Sequence, residues 1–202
     1  MRILDLGCGT GTNLAKLGVT ESDEVAGVDI DDKVLAIARD RFPRRAFFVG
    51  AGEKLPFDNA SFDRVISNVA LPYMDIPKTL LEIHRVLVPG GQVWLSLHPV
   101  SFTVREIRNT SSHLLSLVFR LYVFGNGVWF HYTGKTLCLW IVNGRTESFQ
   151  TERGMRFALW RAGFINATFT RPEGPVGKRL IVQAIKTDWT SNGHTHSLPM
   201  RA

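Results

Sequence analysis

The chain reads as an α/β fold built on a mostly parallel sheet with helices on both faces. Three observations predict it. Short apolar runs alternate with helical patterns through the first hundred residues. The first run ends in a glycine-rich turn that leads into a helix. After a middle segment of different texture, the alternation returns from Glu152. Parallel strands need crossover connections, and this alternation is their imprint.

Taken in order, residues 2–6 form a first strand, followed by Gly7-Cys8-Gly9-Thr10-Gly11 and a short helix over 12–17. Residues 25–29 form the second strand, and 33–41 a helix with Val34, Leu35, Ile37 and Ala38 on its inner face. Residues 46–49 and 64–67 are the third and fourth strands. Over 76–86, Leu80, Leu81, Ile83 and Val86, with Leu87, recur at helical spacing. Pro89-Gly90-Gly91 is predicted to stop that helix ahead of a fifth strand over 92–97. The texture then changes. Residues 101–123 read as an unusually apolar helix, ended by a Gly125-Asn126-Gly127 turn, and 136–142 and 145–149 as strands joined by Asn143-Gly144, a pair favoured in tight hairpins. A helix over 152–161 stops at Gly163, and strands over 164–170 and 179–186 follow. Residues 1–186 are expected to make one domain carrying an insertion at about 101–150, and the polar stretch 187–202 a disordered tail.

Of 202 residues 45% are apolar and 21% charged, with a mean hydropathy of +0.02, which suits a buried core and excludes a disordered regulator. The longest apolar stretch, 114–130, is broken by Ser116, Arg120 and the Gly-Asn-Gly segment, short of the ~20 residues of a bilayer span. Two cysteines, Cys8 and Cys138, make no disulfide framework, and the start lacks a long apolar signal region. A cytoplasmic location is expected. The net charge of +6 is unevenly spread: 11 basic against 13 acidic residues over 1–100, 8 against 3 over 101–161, and 5 against 2 over 162–202. The surplus therefore belongs to the second half.

Asp5-Leu6-Gly7-Cys8-Gly9-Thr10-Gly11 sits between a strand and a helix, where glycines let the backbone turn tightly and approach a ligand. A dinucleotide fingerprint wants its third glycine at the position of Thr12, so the spacing disfavours a nicotinamide enzyme. Gly27-Val28-Asp29-Ile30 closes the second strand with a carboxylate able to accept two hydroxyls. Gly52-Glu53-Lys54-Leu55-Pro56-Phe57, the segment Ser61-Phe62-Asp63-Arg64-Val65-Ile66-Ser67-Asn68, and Leu81-Glu82-Ile83-His84-Arg85-Val86-Leu87-Val88-Pro89-Gly90-Gly91 complete the set. These five segments, over about residues 2–97, resemble the class I S-adenosylmethionine-dependent methyltransferases, in their small-molecule branch that includes quinone and sterol methylases.

The resemblance implies a Rossmann-like seven-stranded sheet of order 3-2-1-4-5-7-6 with the last strand antiparallel, and S-adenosylmethionine as cofactor. It implies that Asp5, Gly7, Cys8, Gly9 and Gly11 line the methionine and ribose end, that Asp29 holds the ribose hydroxyls and Ile30 packs on adenine. Gly52 and Glu53 flank the adenine, and Asn68 faces the methionine end and the acceptor. Two departures stand out: Ala51 occupies a position that is usually acidic, and the chain begins at the first strand, without the helices that normally precede it. A truncated start or looser cofactor binding is expected from the second. Asp63 and Glu82 also match the family but are explained equally well as surface or capping residues.

Methyl transfer from a sulfonium is an in-line displacement that needs chiefly alignment and dryness, with a base only for a protonated acceptor. His98, directly after the fifth strand, is the candidate base, against a structural role in the loop. Tyr73 and His131 are candidate acceptor-binding residues. His194 and His196 have metal-pair spacing but lack further ligands nearby, so no metal is expected. The insertion is dense in apolar residues, with Arg105, Arg108 and Arg120 among them. It reads either as a lid over the pocket or, through 101–130, as a peripheral membrane contact. The function expected is methyl transfer to a small hydrophobic or aromatic acceptor. The alternatives are a catalytically silent cofactor-binding scaffold and an RNA methyltransferase, the latter disfavoured by the lack of an appended RNA-binding module or a Lys/Arg run.

Overall fold

The computed structural model describes residues 1–12, 18–109, 114–139, 146–172 and 179–187. β1 (Arg2–Leu6) lies mid-sheet, paired in parallel with β2 (Glu24–Asp29) and β4 (Phe62–Asn68). β3 (Ala46–Val49) extends the sheet beyond β2, and β5 (Leu87–Leu97) beyond β4. β7 (Leu180–Lys186) is antiparallel to both β5 and the edge strand β6 (Phe164–Thr170). The order is 3-2-1-4-5-7-6, as the family resemblance implies. Ile3, Leu4 and Leu6 of β1 are all fully buried, because side chains on both faces of a central parallel strand meet covering elements.

α1 (Asp32–Arg41) starts at Asp31, whose side chain accepts the Lys33 N–H. Its apolar stripe is narrower than predicted: Leu35 and Ala38 are buried, whereas Ile37 is exposed and Val34 only partly covered. α2 (Ile76–Val86) buries Ile76, Leu80, Ile83 and Val86, but Leu81 points outward. The helix ends at Leu87, ahead of Pro89-Gly90-Gly91, which does not stop it. Leu87 already pairs with Phe62, and Gln92 with Arg64. Residues 88–91 are therefore a bulge inside β5, made possible by Gly90 at φ +74.

The insertion differs most from expectation. α3 (Val100–Arg108) and α4 (Leu114–Thr133) replace a single helix, and α4 runs straight through Gly125-Asn126-Gly127. Gly127 is required there because a Cβ would stand 2.3 Å from the Phe149 ring. Asn126 is buried; its Oδ1 accepts the Leu137 N–H at 2.7 Å, and its Nδ2 donates to the carbonyls of Thr146 and Glu147 at 3.0 and 3.1 Å. The described flanks of the predicted hairpin, 136–139 and 146–149, are consequently not strands. Their backbone groups turn to Asn126 and to the main fold, with Ser148 N–H donating to the Pro72 carbonyl. The Asn143-Gly144 turn, residues 13–17 of the first predicted helix, and the predicted tail beyond Thr187 lie outside the described residues.

α4 is fastened to α5 (Glu152–Arg161) through Phe130, which is fully buried in the main core. A Cβ at Gly154 would fall 2.6 Å from the Phe130 ring, so only glycine admits this approach.

Candidate functional site

The glycine turn after β1 is shaped by its neighbours. The N–H groups of Gly7 and Cys8 both donate to the Val28 carbonyl, at 2.8 and 3.1 Å. Gly7 has φ +71, and a Cβ there would lie 2.1 Å from that of Ala70. Gly9 N–H donates to Asp29 Oδ2 at 2.8 Å, while Asp31 N–H donates to Asp29 Oδ1 at 3.1 Å. The turn and the end of β2 are thereby joined through one carboxylate.

A pocket of about 400 Å³ opens at the carboxyl ends of β1, β2 and β4, where open α/β sheets bind ligands. Of the residues anticipated from sequence, Gly7, Asp29, Ile30, Gly52, Glu53, Asn68 and Tyr73 line it. Gly11 instead faces the ring of Phe42, and a Cβ at Gly9 would meet nothing within 4 Å among the described residues. Cys8 is packed with Leu35, Ala38 and Phe47. Burial, then the charges of Asp5 and Asp29, push its thiol up to about 12, so it is an inert core group. A wider groove of about 690 Å³, walled by Phe42, Phe48, Phe57 and Arg44, lies at the opposite ends of the strands. It contains neither the glycine turn nor Asp29.

Asp5, near the end of β1, does not line the pocket; it is 2% exposed, and its Oδ2 has no hydrogen-bond partner among the described residues. Burial, reinforced by the charge of Asp29 and opposed by Arg45, raises its carboxyl to about 7. Glu53 is partly committed, since its Oε1 accepts the N–H of Asp75, the cap of α2, at 2.7 Å. The loop carrying Ala51 and Gly52 is held by α2: Glu82 accepts the Leu55 N–H at 2.8 Å, and Arg85 donates to the carbonyls of Leu55 and Phe57. Glu82 thus fixes the loop, and Asp63 pairs with Arg2.

Sequence reasoning missed Val69, Ala70 and Met74 on the far wall. Val69 sits at φ +66, a conformation that costs a β-branched residue roughly 1–3 kcal/mol. Its N–H is held by the Ser96 carbonyl at 2.9 Å. No composition or spacing signal marks a strained valine, although its position directly after Asn68 does place it at a strand end.

His98 is brought near the site but not into the pocket lining. It is buried, its N–H donates to Gln150 Oε1 at 3.2 Å, and its ring stands edge-on to Tyr73 with centroids 5.4 Å apart. Phe102 closes the other side at 4.2 Å. Burial, then the charge of Arg179, lowers the imidazole to about 4. His131 lies elsewhere, with Nδ1 2.9 Å from Oγ1 of Thr151, the cap of α5. None of the described residues between 101 and 150 lines the pocket. The insertion reaches it through the bond from Ser148 to Pro72, next to Tyr73. Among the described residues no group of three metal-type ligands gathers; His194 and His196 lie outside them.

Comparison with known proteins places this geometry. Residues 4–95 match a family described as a methyltransferase domain. The chain is 37% identical over 95 residues to a demethylmenaquinone methyltransferase of Chlorobaculum tepidum, covering 46% of this chain and 39% of that protein. It is 39% identical over 97 residues to a malonyl-[acyl-carrier protein] O-methyltransferase of Erwinia pyrifoliae, covering 48% and 37%. The chain therefore spans well under half the length of the curated relatives it matches. In structure it resembles a SAM-dependent methyltransferase of Methanosarcina mazei, with a TM-score of 0.61, 20% identity and 92% of each chain covered, a likeness of fold.

Proposed function

We propose that this chain, whose residues 4–95 belong to the class I S-adenosylmethionine-dependent methyltransferases, transfers a methyl group from that cofactor to a small, apolar acceptor. The observation that carries this reading is the pocket at the carboxyl ends of β1, β2 and β4, whose lining brings Gly7 of the glycine turn together with Asn68 and the carboxylates of Asp29 and Glu53. Carboxylates at the edge of a pocket suit a ligand that presents hydroxyl and ammonium donors, and the cofactor carries both. The pocket volume falls in the range of ligand sites, roughly 300–1,000 Å³.

The remaining residues suit the parts of that molecule. Each Asp29 oxygen accepts one backbone N–H and keeps a lone pair for a ribose hydroxyl. Ile30, 77% exposed at the pocket edge, offers an apolar face to adenine. Gly7 and Asn68 form the wall along the methionine end and Gly52 borders the adenine side, while Cys8, Gly9 and Gly11 act through the shape of the turn. Tyr73, half exposed, borders the acceptor side, and burial together with Glu147 raises its phenol, which therefore stays neutral. His98 stands one ring behind it, held neutral at pH 7, as the base for an acceptor whose proton must leave. Bound S-adenosylmethionine supplies a methyl group already activated on sulfur. The protein's task is to align the acceptor behind that methyl and exclude water. The demethylmenaquinone and malonyl-carrier names of the two relatives support a small-molecule acceptor.

One feature favours a second reading, a silent cofactor-binding protein: Ala51 has no acceptor side chain and Glu53 is partly engaged by Asp75. Isothermal titration followed by a transfer assay on quinols and phenols separates the two. Binding with turnover is expected. Binding without turnover on any acceptor favours the silent reading, and no binding overturns both. His98→Ala is expected to lower kcat and leave cofactor affinity intact; unchanged kcat removes His98 from the chemistry.

A further inference from the structure

The side of α4 turned away from the core has a composition that a solvated helix does not keep. Between residues 115 and 132 every exposed position of α4 is uncharged, and all but Ser116 are apolar, aromatic or glycine. Leu117, Leu121, Phe124, Val128, Trp129 and Tyr132 recur at three- and four-residue spacing along one stripe, about 22 Å long at 1.5 Å per residue. The opposite face, with Val123, Asn126 and Phe130, is buried. The stripe is thus a second apolar face left over after the core has been satisfied.

The charges around it indicate what covers it. All three carboxylates of residues 101–161 are engaged by arginine: Glu106 and Glu147 by Arg120, and Glu152 by Arg156. Arg105 and Arg108 on the last turn of α3, Lys135 just past α4, and Arg153 are exposed, with no carboxylate partner among the described residues. The Arg153 guanidinium lies 5.7 Å from the Tyr132 ring at the end of the stripe. With Lys135 just past the last turn of α4, Arg153 gives the end of the apolar face a cationic rim. A second copy of the chain docked about a twofold axis would set this rim against itself. An anionic lipid surface meets both features at once: headgroups take the arginines and lysine, and the boundary of the acyl region takes the stripe. Trp129 and Tyr132 are residue types that favour that boundary. No described helix is long and apolar enough to cross a membrane, so the helix lies along the surface.

We propose that the outward face of α4 docks this protein on an anionic bilayer. Phe149 packs against Gly127 of α4, and the adjacent Ser148 N–H donates to the Pro72 carbonyl beside Tyr73, so the docking helix is joined to the acceptor side of the site. Docking does not depend on the methyl-transfer reading; only the delivery of a lipid-phase acceptor rests on it.

The test is co-flotation of the full chain with vesicles of phosphatidylcholine alone or mixed with phosphatidylglycerol. Binding to the anionic vesicles, weak binding to the neutral ones, and loss on raising salt are expected. Leu121→Gln with Trp129→Gln should weaken vesicle binding at least about tenfold, with melting temperature and S-adenosylmethionine titration unchanged. Lys135→Gln with Arg153→Gln should weaken the preference for anionic vesicles while leaving the apolar residues of the stripe in place. No vesicle binding by the wild type, or equal binding by both double variants, overturns the proposal. So does a lipid-free dimer that the Leu121/Trp129 pair dissolves, which would assign the face to a second copy. Because the cofactor titration is read separately, its failure would count against the methyltransferase reading and leave the docking result standing.

Discussion

The Gly9 N–H donates to Asp29 Oδ2 across 2.8 Å, tying the tip of the glycine turn to the end of β2. One side chain therefore has two tasks: it sets the turn, and it presents its remaining lone pairs to the pocket.

The two tasks separate on substitution. Asp29→Asn keeps one carbonyl acceptor but loses the charge, and S-adenosylmethionine affinity is expected to fall by about tenfold or more, with a modest loss of stability. Asp29→Ala leaves the Gly9 and Asp31 N–H groups without their partner and should cost a further ~1–2 kcal/mol. Calorimetric titration and urea unfolding read the two effects independently. Equal affinity in Asp29→Asn would place the ribose elsewhere.

The close approach of Gly7 to Ala70 gives a sharper steric test. Gly7→Ala puts a methyl 2.1 Å from the Ala70 Cβ, at φ +71, and should destabilise by roughly 2 kcal/mol or more. Ala70→Gly in the same chain removes the collision but not the backbone strain. The double variant should recover part of the loss, leaving about 1 kcal/mol. A double variant no better than Gly7→Ala would mean that the strain alone limits this turn.

Asn126 carries the insertion. Asn126→Leu keeps the volume but orphans the Leu137 N–H and leaves the Thr146 and Glu147 carbonyls without this donor. A loss of about 3 kcal/mol or more is expected, with faster hydrogen exchange at Leu137. An unchanged urea midpoint would show that these segments are held by other contacts.

The contrast between the two halves of the chain is physical. β1, β2 and the glycine turn were legible because a strand buried on both faces must be apolar along its length, and because tight turns select glycine. The pocket residue Asp29 followed from its place at a strand end, and Asn68 from the family resemblance. The bulge at residues 88–91 was not legible, since Pro-Gly-Gly serves equally well to end a helix. Nor was the continuity of α4: Gly127 reads as a helix breaker until Phe149, 22 residues away, is seen to lie against it. Asn126 shows the same limit, because its partners at 137 and 146–147 come from segments whose alternation suggests that they pair with each other. Non-local hydrogen bonding overrode local propensity there.

Asp5 and His98 give the site opposing responses to acid, and their opposition can be measured. Asp5 titrates near 7 when folded and near 3.8 unfolded, so between those values the folded state holds the extra proton. Its contribution is greatest below about pH 4 and is lost as pH rises through 7. His98 titrates near 4 when folded and near 6.5 unfolded, so there the unfolded state holds the extra proton. Its contribution is present above about 6.5 and is lost as pH falls toward 4. The two slopes largely cancel over pH 4–6.5. Asp5→Asn removes the falling slope, so its melting temperature should rise with pH across that window more steeply than that of the wild type. His98→Gln removes the rising slope, so its melting temperature should fall across the same window relative to the wild type. Thermal unfolding of the three proteins in a pH series checks both signs. If the two variants tilt the curve in the same direction, one of these groups is not buried as described.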